Sequence, residues 1–136
     1  MASYSIAGMR AVGPFYAGKL KAIGIRSSSK LLDRTCTPKA RRQLAEASGI
    51  PPEYILKWAN IADLMRVPGI AEDYSELLTA AGVDTVKELK RRNAANLVAR
   101  MAEINERSKM VDLLPSEKRV ARWIEGAKLL EPMISY

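Results

Sequence analysis

Two short stretches of small and apolar residues, each followed directly by a helical pattern, are the parts of this chain best suited to binding chemistry. Ala11-Val12-Gly13 stands before Pro14, and Gly69-Ile70-Ala71 stands before Glu72. A tight turn that enters a helix leaves backbone N–H groups without intrahelical acceptors, and such groups favour anions. Both stretches are therefore candidate phosphate sites, made by the backbone rather than by side chains.

Positive charge accompanies the first of these stretches. The chain carries a net charge of +7, and the whole excess lies in residues 1–50, where nine Lys and Arg residues face only Asp33 and Glu46. Residues 51–136 hold thirteen residues of each sign. A basic surface of this kind attracts polyanions, although many soluble proteins carry one without using it. The candidate cationic contacts are Arg10, Lys19, Lys21, Lys39, Arg41 and Arg42.

The second stretch is the more doubtful of the two. Glu72 and Asp73 occupy the first turn of the helix that follows it. Carboxylates at this position suit the helix dipole, but they repel a phosphate that approaches the same amides. We therefore expect Val12 and Gly13 to contact phosphate, and we retain Gly69, Ile70 and Ala71 only as a weaker candidate site.

Composition excludes several other classes of protein. The chain has no histidine, so Ser-His or Cys-His catalysis and imidazole metal sites are ruled out, and we expect neither catalytic nor metal-ligating residues. Its one cysteine, Cys36, cannot form an internal disulfide, which fits a reducing cytoplasm. No apolar run reaches the roughly 20 residues that a membrane span requires. We expect a cytoplasmic protein with no membrane insertion and one domain over residues 1–136.

Nearly all local signals are helical, so the predicted fold class is all-α. Gly24, Gly49 and Gly82 are suitable helix terminators. Residues suited to cap the start of a helix stand at Thr37, Thr85 (with Glu88 as a capping box), Asn93 and Ser116. The predicted helices cover 14–23, 27–34, 37–48, 51–67, 71–81, 85–92, 93–104 and 116–130. No segment alternates with period two for long enough to predict a strand.

The sequence also contains an internal duplication. A shift of 58 residues aligns Tyr16 with Tyr74 and Leu20 with Leu78, and a shift of 65 aligns Trp58 with Trp123. The change in offset predicts about seven extra residues near 105–113. The chain then divides into unit one, about 9–65, and unit two, about 67–131. Because only eight residues precede unit one, we expect the Trp123 helix to fold back beside the N-terminal loop.

At these residues the chain resembles a helix-hairpin-helix protein, whose usual motif is hydrophobic-x-Gly-hydrophobic-Gly-x-x-x-Ala-x-x-Leu. The resemblance covers residues 9–25 and 67–83, and each copy keeps one of the two glycines. The wider pattern, with Thr37-Pro38, the segment from Ile55 to Leu64 and the end from Pro115 to Leu130, resembles a bacterial family of small, uncharacterised helical proteins with tandem hairpins. The resemblance implies one compact domain of two degenerate helix-hairpin-helix units.

The resemblance also implies a mode of binding. In helix-hairpin-helix proteins the loop amides hold a DNA phosphate, often beside a monovalent cation bound by loop carbonyls. Paired motifs commonly grip the backbone without reading sequence. Carried to this chain, the loops are Ala11-Val12-Gly13 and Gly69-Ile70-Ala71, DNA is favoured over RNA, and a monovalent cation at the loop is the one cofactor implied.

Two interpretations of function remain open from the sequence. In the first, the chain binds nucleic-acid backbone, without catalysis, through the first loop and a basic N-terminal face. In the second, the hairpins only support packing, and the basic face docks on an acidic protein or on ribosomal RNA within a larger complex. An enzyme is the weakest alternative, because the acidic residues form no spaced pair suited to acid–base work.

Overall fold

The computed structural model describes residues 3–136, and its regular secondary structure over that range is helical apart from one isolated β-bridge between Ser5 and Ser27. A short 3-10 helix, Ile6–Gly8, precedes the α-helices. Within the described range these are α1 Gly13–Ala22, α2 Ser28–Asp33, α3 Pro38–Ser48, α4 Pro52–Leu64, α5 Glu72–Ala80, α6 Val86–Leu89, α7 Ala94–Ser108 and α8 Glu117–Lys128. The all-α prediction is confirmed. No helix among residues 3–136 is both long enough and apolar enough to cross a membrane.

Side-chain caps begin four of the helices, three of them at the predicted residues Thr37, Asn93 and Ser116. In each case the side-chain oxygen accepts a hydrogen bond from the backbone N–H three residues later, which satisfies one unpaired donor of the first turn. The capping residues are Ser27 (3.1 Å), Thr37 (3.0 Å), Asn93 (3.0 Å) and Ser116 (3.1 Å). The α3 helix ends at Gly49, whose φ of 73° is left-handed, as its position in the sequence indicates.

The capping box predicted at Thr85 is wrong. Thr85 makes no side-chain cap bond, and Glu88 Oε2 accepts a 3.4 Å bond from the Asp84 N–H. The donor at the start of α6, the Val86 N–H, binds Asp63 Oδ2 of α4 at 2.8 Å. A carboxylate from a distant helix therefore binds the first donor of α6, and the Glu88 N–H, which the Thr85 hydroxyl was expected to bind, donates to Thr85 O at 3.1 Å instead.

Four helices follow one another in the same order in each half of the chain: a helix after a loop, a short helix, a further helix and a helix that carries a tryptophan. The buried apolar residues form two clusters. One contains residues from Ile6 to Met65 and the other contains residues from Leu64 to Ala127. Each half therefore has its own core, and α4 contributes to both.

The expected position of the Trp123 helix is wrong. Trp123 packs on Tyr74 of its own half, with ring centroids 5.2 Å apart, and its core cluster is the second one. The residues after α8 return to the first half instead. Met133 and Ile134 pack against the first cluster, and the Ser135 N–H donates to Cys36 O at 2.8 Å.

A buried ion pair lies where the two halves meet. Asp63 Oδ1 and Arg66 Nη1 are 2.7 Å apart, and both side chains are buried. Arg66 Nη2 also donates to Glu131 O at 2.7 Å, which fixes the start of the C-terminal tail. Burial raises the pKa of Asp63 above its ordinary value, although the Val86 N–H and the Arg66 charge oppose that rise. Both Asp63 carboxylate oxygens have hydrogen-bond donors, Arg66 Nη1 and the Val86 N–H, so this buried charge is compensated and links α4 to α6.

Candidate functional site

The first loop, Met9–Gly13, is called loop one here, and its amides are already bound within the protein. The Arg10 N–H donates to Glu72 Oε1 at 2.7 Å, and the Ala11 N–H donates to Glu72 Oε2 at 2.8 Å. Glu72 begins α5 in the other half of the chain. One carboxylate therefore occupies the two amides in the way that a phosphate was expected to do.

The remaining groups of loop one are also paired. The N–H groups of Val12 and Gly13 donate to Met9 O at 3.1 and 3.3 Å, and the Trp58 indole Nε1 donates to Ala11 O at 3.1 Å. Val12 is buried. The prediction that Val12 and Gly13 offer free amides is therefore wrong, because the turn itself uses them. Two carbonyls of loop one, Met9 O and Ala11 O, accept these hydrogen bonds.

The Arg10 side chain is held beside loop one by acidic residues of α5. Its Nη2 forms ion pairs with Asp73 and with Glu76 Oε2, the latter at 3.1 Å. The hydrogen bond that Arg10 donates to Glu76, followed by the charges of Asp73 and Glu76, raises the Arg10 pKa above its ordinary value. Arg10 was predicted to face a phosphate, and the structure turns it toward carboxylates.

The second loop, Val67–Ala71, is called loop two here, and it is built differently. The Ile70 N–H donates to Val67 O at 3.1 Å, and Gly69 has a φ of 93°. Among the described residues, the amides of Gly69 and Ala71 have no acceptor, and no side chain caps α5. Both residues are exposed, whereas Ile70 is buried. Loop two thus has the unbonded backbone N–H groups that were expected in loop one.

The acidic first turn of α5 explains much of this difference. Glu72 and Asp73 were expected to screen loop two, but both side chains bind residues of loop one. Both residues still directly follow Ala71 in the chain, and acidic charge in the first turn of α5 is unfavourable to a phosphate at these amides.

Two of the predicted basic contacts are structural. Arg41 is 8% exposed, and its guanidinium donates to Thr35 O at 2.9 Å and to Ser135 O at 2.7 Å. The half-buried Lys19 donates from Nζ to Ser48 O at 3.3 Å, at the end of α3, where a cation suits the helix dipole. Both contacts stabilise local packing, and the Lys19 ammonium group keeps two further N–H donors beside its bond to Ser48 O.

The other predicted cations do not gather around loop one. Lys39 and Arg42 are exposed on α3, and Lys21 is partly exposed on α1. Lys19 contacts Ser48 at the far end of α3 from Lys39, roughly 13 Å along the helix at 1.5 Å per residue. The predicted site therefore consists of loop one, whose amides are bound within the protein, and a cationic region on α3 and the residues before it.

That region also includes residues that the sequence analysis did not single out. We call residues 26–42 the basic segment; its exposed cations are Arg26, Lys30, Arg34, Lys39 and Arg42. Asp33 is the one acidic residue in this stretch. Lys30 and Arg34 are four residues apart, which places them on one side of a helix, and this spacing could have indicated a shared surface.

Among the described residues, no group of three or more Cys, Asp or Glu side chains could hold a metal ion. The arrangement shown by the structure is thus a closed loop, an open loop and a cationic segment. Physically, exposed cations on short helices can pair with several phosphates of a flexible or regular polyanion at once.

These features define a small all-helical domain with two loop-and-helix halves. The model of the family described as a domain of unknown function, DUF4332, matches residues 10–130, and the chain belongs to that family. No curated protein and no solved structure matches the chain.

Proposed function

We propose that this chain is a non-catalytic protein that binds nucleic-acid backbone, without reading sequence, through the basic segment. Loop one serves to join the two halves in this proposal, since its amides and Arg10 are bound to residues of α5. DNA is the favoured partner, from the helix-hairpin-helix resemblance of the loops.

The proposal rests on the exposed cations of the basic segment, which form no ion pairs within the described structure. Of the nine Lys and Arg residues in 1–50, Arg10 is the one that forms an ion pair among the described residues. The five exposed cations of the basic segment have no carboxylate within ion-pair distance there. Lys39 also stands in the first turn of α3, where a positive charge opposes the helix dipole. Because the positive charge of Lys39 does not stabilise α3, its presence there supports a role in binding an external anionic partner.

The expected binding is electrostatic and weak. If about five phosphates are contacted, the logarithm of the binding constant falls with the logarithm of salt concentration with a slope of about −4.5. Dissociation constants in the micromolar range or weaker are expected near physiological salt. Different duplexes of equal length should bind alike, because phosphate contacts carry no base information.

Fluorescence anisotropy with a labelled DNA duplex, titrated at several salt concentrations, tests the proposal. The double variant Lys39→Glu/Arg42→Glu should weaken binding at least tenfold at about 50 mM salt and flatten the salt slope by about 2. It should remain folded, because an acidic residue suits the start of α3 better than Lys39 does. The matched control is Lys87→Glu/Arg91→Glu, which makes the same change in net charge at exposed residues of the second half.

Equal losses in the two double variants would show that net charge alone, rather than the basic segment, governs binding. A wild-type chain that binds neither duplex nor single strand at about 50 mM salt would overturn the proposal altogether.

The second candidate function is that of an assembly subunit, and the closure of loop one by Glu72 favours it. Here the hairpin serves packing alone, and the basic segment docks on an acidic protein partner. A purification from native extract that yields one protein in equimolar amount, together with no binding to nucleic acid, would support this alternative.

A further inference from the structure

Four aromatic rings lie together beside loop one, and the function proposed above does not use them. Phe15 and Tyr16 come from the first turns of α1, and Tyr54 and Trp58 lie one turn apart on α4. We call these four residues the aromatic patch. Successive ring centroids are 5.2 Å apart for Phe15 and Tyr16, 5.7 Å for Tyr16 and Tyr54, and 6.2 Å for Tyr54 and Trp58.

The inner part of the patch is fixed and the outer part is open. Trp58 is 2% exposed, and its indole N–H is held by Ala11 O. Phe15 is 69% exposed and Tyr54 is 43% exposed. Single exposed apolar side chains are common on soluble proteins, but two exposed rings that continue a buried aromatic array form a preorganised surface.

Lysines flank the patch, and one acidic residue also borders it: Glu72 Oε2 accepts a 2.8 Å hydrogen bond from the Ala11 N–H. Lys19 Nζ lies 5.3 Å from the centre of the Phe15 ring. A groove of about 250 Å³ beside the patch is lined by Ala11, Val12, Tyr16, Tyr54, Lys57 and Trp58. Lys57 is the one charged residue of that lining, and it is exposed. Glu53, which precedes Tyr54, lines a different groove with Arg41 and Arg42, and Glu76 lines a third groove that Lys57 also borders.

We infer that the aromatic patch stacks unpaired bases of single-stranded nucleic acid, with Lys19 and Lys57 beside the strand's phosphates. The inference rests on the proposed function and extends it from the backbone to the bases. Flat apolar rings suit the faces of nucleobases, and every base has such a face, so stacking adds affinity without reading sequence. Bases in a duplex are covered by their neighbours, so the patch selects single strands.

A peptide partner fits the patch less well than a nucleic acid. An apolar partner would gain from burying Phe15, but the flanking lysines would then need acidic groups on that partner. A single strand supplies both chemistries at every nucleotide, because each one carries a flat base and a phosphate.

An abasic oligonucleotide gives the sharpest test, because it keeps the phosphates and lacks the bases. Anisotropy should show that wild type binds a labelled oligothymidine more tightly than an abasic strand of equal length, by about 5- to 100-fold. The double variant Phe15→Ala/Tyr54→Ala should reduce that ratio to about one and leave affinity for the abasic strand unchanged.

Two further variants separate stacking from general apolar contact. Phe15→Tyr keeps a ring and should keep the ratio, whereas Phe15→Leu keeps apolar area and should lower it. Leu129→Ala removes a side chain that is 87% exposed in the other half and should change nothing. Thermal unfolding followed by circular dichroism verifies that each variant is folded.

Other outcomes overturn the inference in distinguishable ways. Equal affinity of wild type for the two strands, with duplex binding intact, contradicts the stacking role and leaves the proposed function standing. No binding to any nucleic acid contradicts both. If sedimentation shows an oligomer that Phe15→Ala dissociates, and the strand ratio is unaffected, the patch is a contact between copies of this chain.

Discussion

Loop one and loop two occupy matching places in the two halves of the molecule, yet one is closed and the other is open. In loop one, the amides of Arg10 and Ala11 are held by Glu72, and Trp58 binds Ala11 O. In loop two, the amides of Gly69 and Ala71 have no acceptor among residues 3–136. Trp123 packs over Gly69 there without a hydrogen bond to the loop in the described structure.

The difference shows that a short loop pattern does not decide by itself whether amides are available. The acidic residues that follow loop two in the chain serve loop one in space. The amides of loop one are therefore bound by a residue of the second half, whereas the exposed cations of residues 26–42 form no ion pair in the described structure. Changes at matching residues of the two loops should therefore have unequal effects.

The largest effect is expected for the tryptophans. Removing either large buried ring, by Trp58→Ala or Trp123→Ala, should lower the free energy of unfolding by about 3–5 kcal/mol. Because such variants can fail to fold, Trp58→Phe and Trp123→Phe sharpen the comparison. Trp58→Phe should cost about 1 kcal/mol more, since it also leaves Ala11 O without its donor. Urea unfolding measures both, and an equal or greater loss for Trp123→Phe would contradict the comparison.

Glu72→Ala should open loop one. It leaves the Arg10 and Ala11 amides without their acceptor, which should lower the free energy of unfolding by about 2 kcal/mol. Hydrogen exchange at those two amides should accelerate. Glu53→Ala is the matched control, because Glu53 is an exposed acidic residue in the first turn of α4 and should cost about 0.5 kcal/mol. Unchanged exchange in Glu72→Ala would show that the carboxylate does not hold the loop.

The sequence predicts the helices well and the pairing of the loops poorly. Caps such as Thr37 and Asn93 act within one turn, so local pattern is enough to find them. The hydrogen bonds that loop one donates to Glu72 join residues about 60 positions apart, and no local pattern in either stretch predicts them. Thr85 fails for the same reason, since Asp63 reaches α6 through the tertiary fold.

The charge pattern illustrates a second limit. The excess of cations in residues 1–50 can be counted, but the count does not separate the exposed Arg42 from its buried neighbour Arg41. That distinction depends on the C-terminal tail, whose Ser135 O accepts from Arg41 at 2.7 Å. Arg41 stands three residues before the buried Leu44 on α3, so both side chains lie on the same side of the helix. This spacing is the sequence signal that could have predicted the burial of Arg41.

The glycines of the two loops should differ by a smaller amount. Gly13 and Gly69 both have positive φ, so an alanine is strained at either position by about 1 kcal/mol. A Cβ at Gly13 would meet nothing within 4 Å, whereas one at Gly69 would lie 3.1 Å from Trp123 Nε1. Gly69→Ala should therefore be the more destabilising, with a midpoint in thermal unfolding below that of Gly13→Ala. Identical midpoints would mean that the Trp123 side chain moves aside at no cost in stability, which would contradict the expected difference.

The smallest effect is expected for the exposed ion pairs of Arg10. Arg10→Ala should cost about 0.5 kcal/mol or less, because solvent screens these contacts. The loss should shrink further as salt is added. Urea unfolding at low and high salt measures it. If Arg10→Ala lowered the free energy of unfolding as much as Glu72→Ala does, independently of salt, the Arg10 side chain rather than Glu72 would be what holds loop one.

The central claim is that the basic segment, and not loop one, meets nucleic acid. Backbone amide shifts recorded by NMR during titration with a DNA duplex test it most directly. The account predicts that shifts concentrate at residues 26–42, including Lys39 and Arg42, while the Arg10 and Ala11 amides stay in place. Early and large shifts at Arg10 and Ala11, with residues 26–42 unmoved, would contradict it.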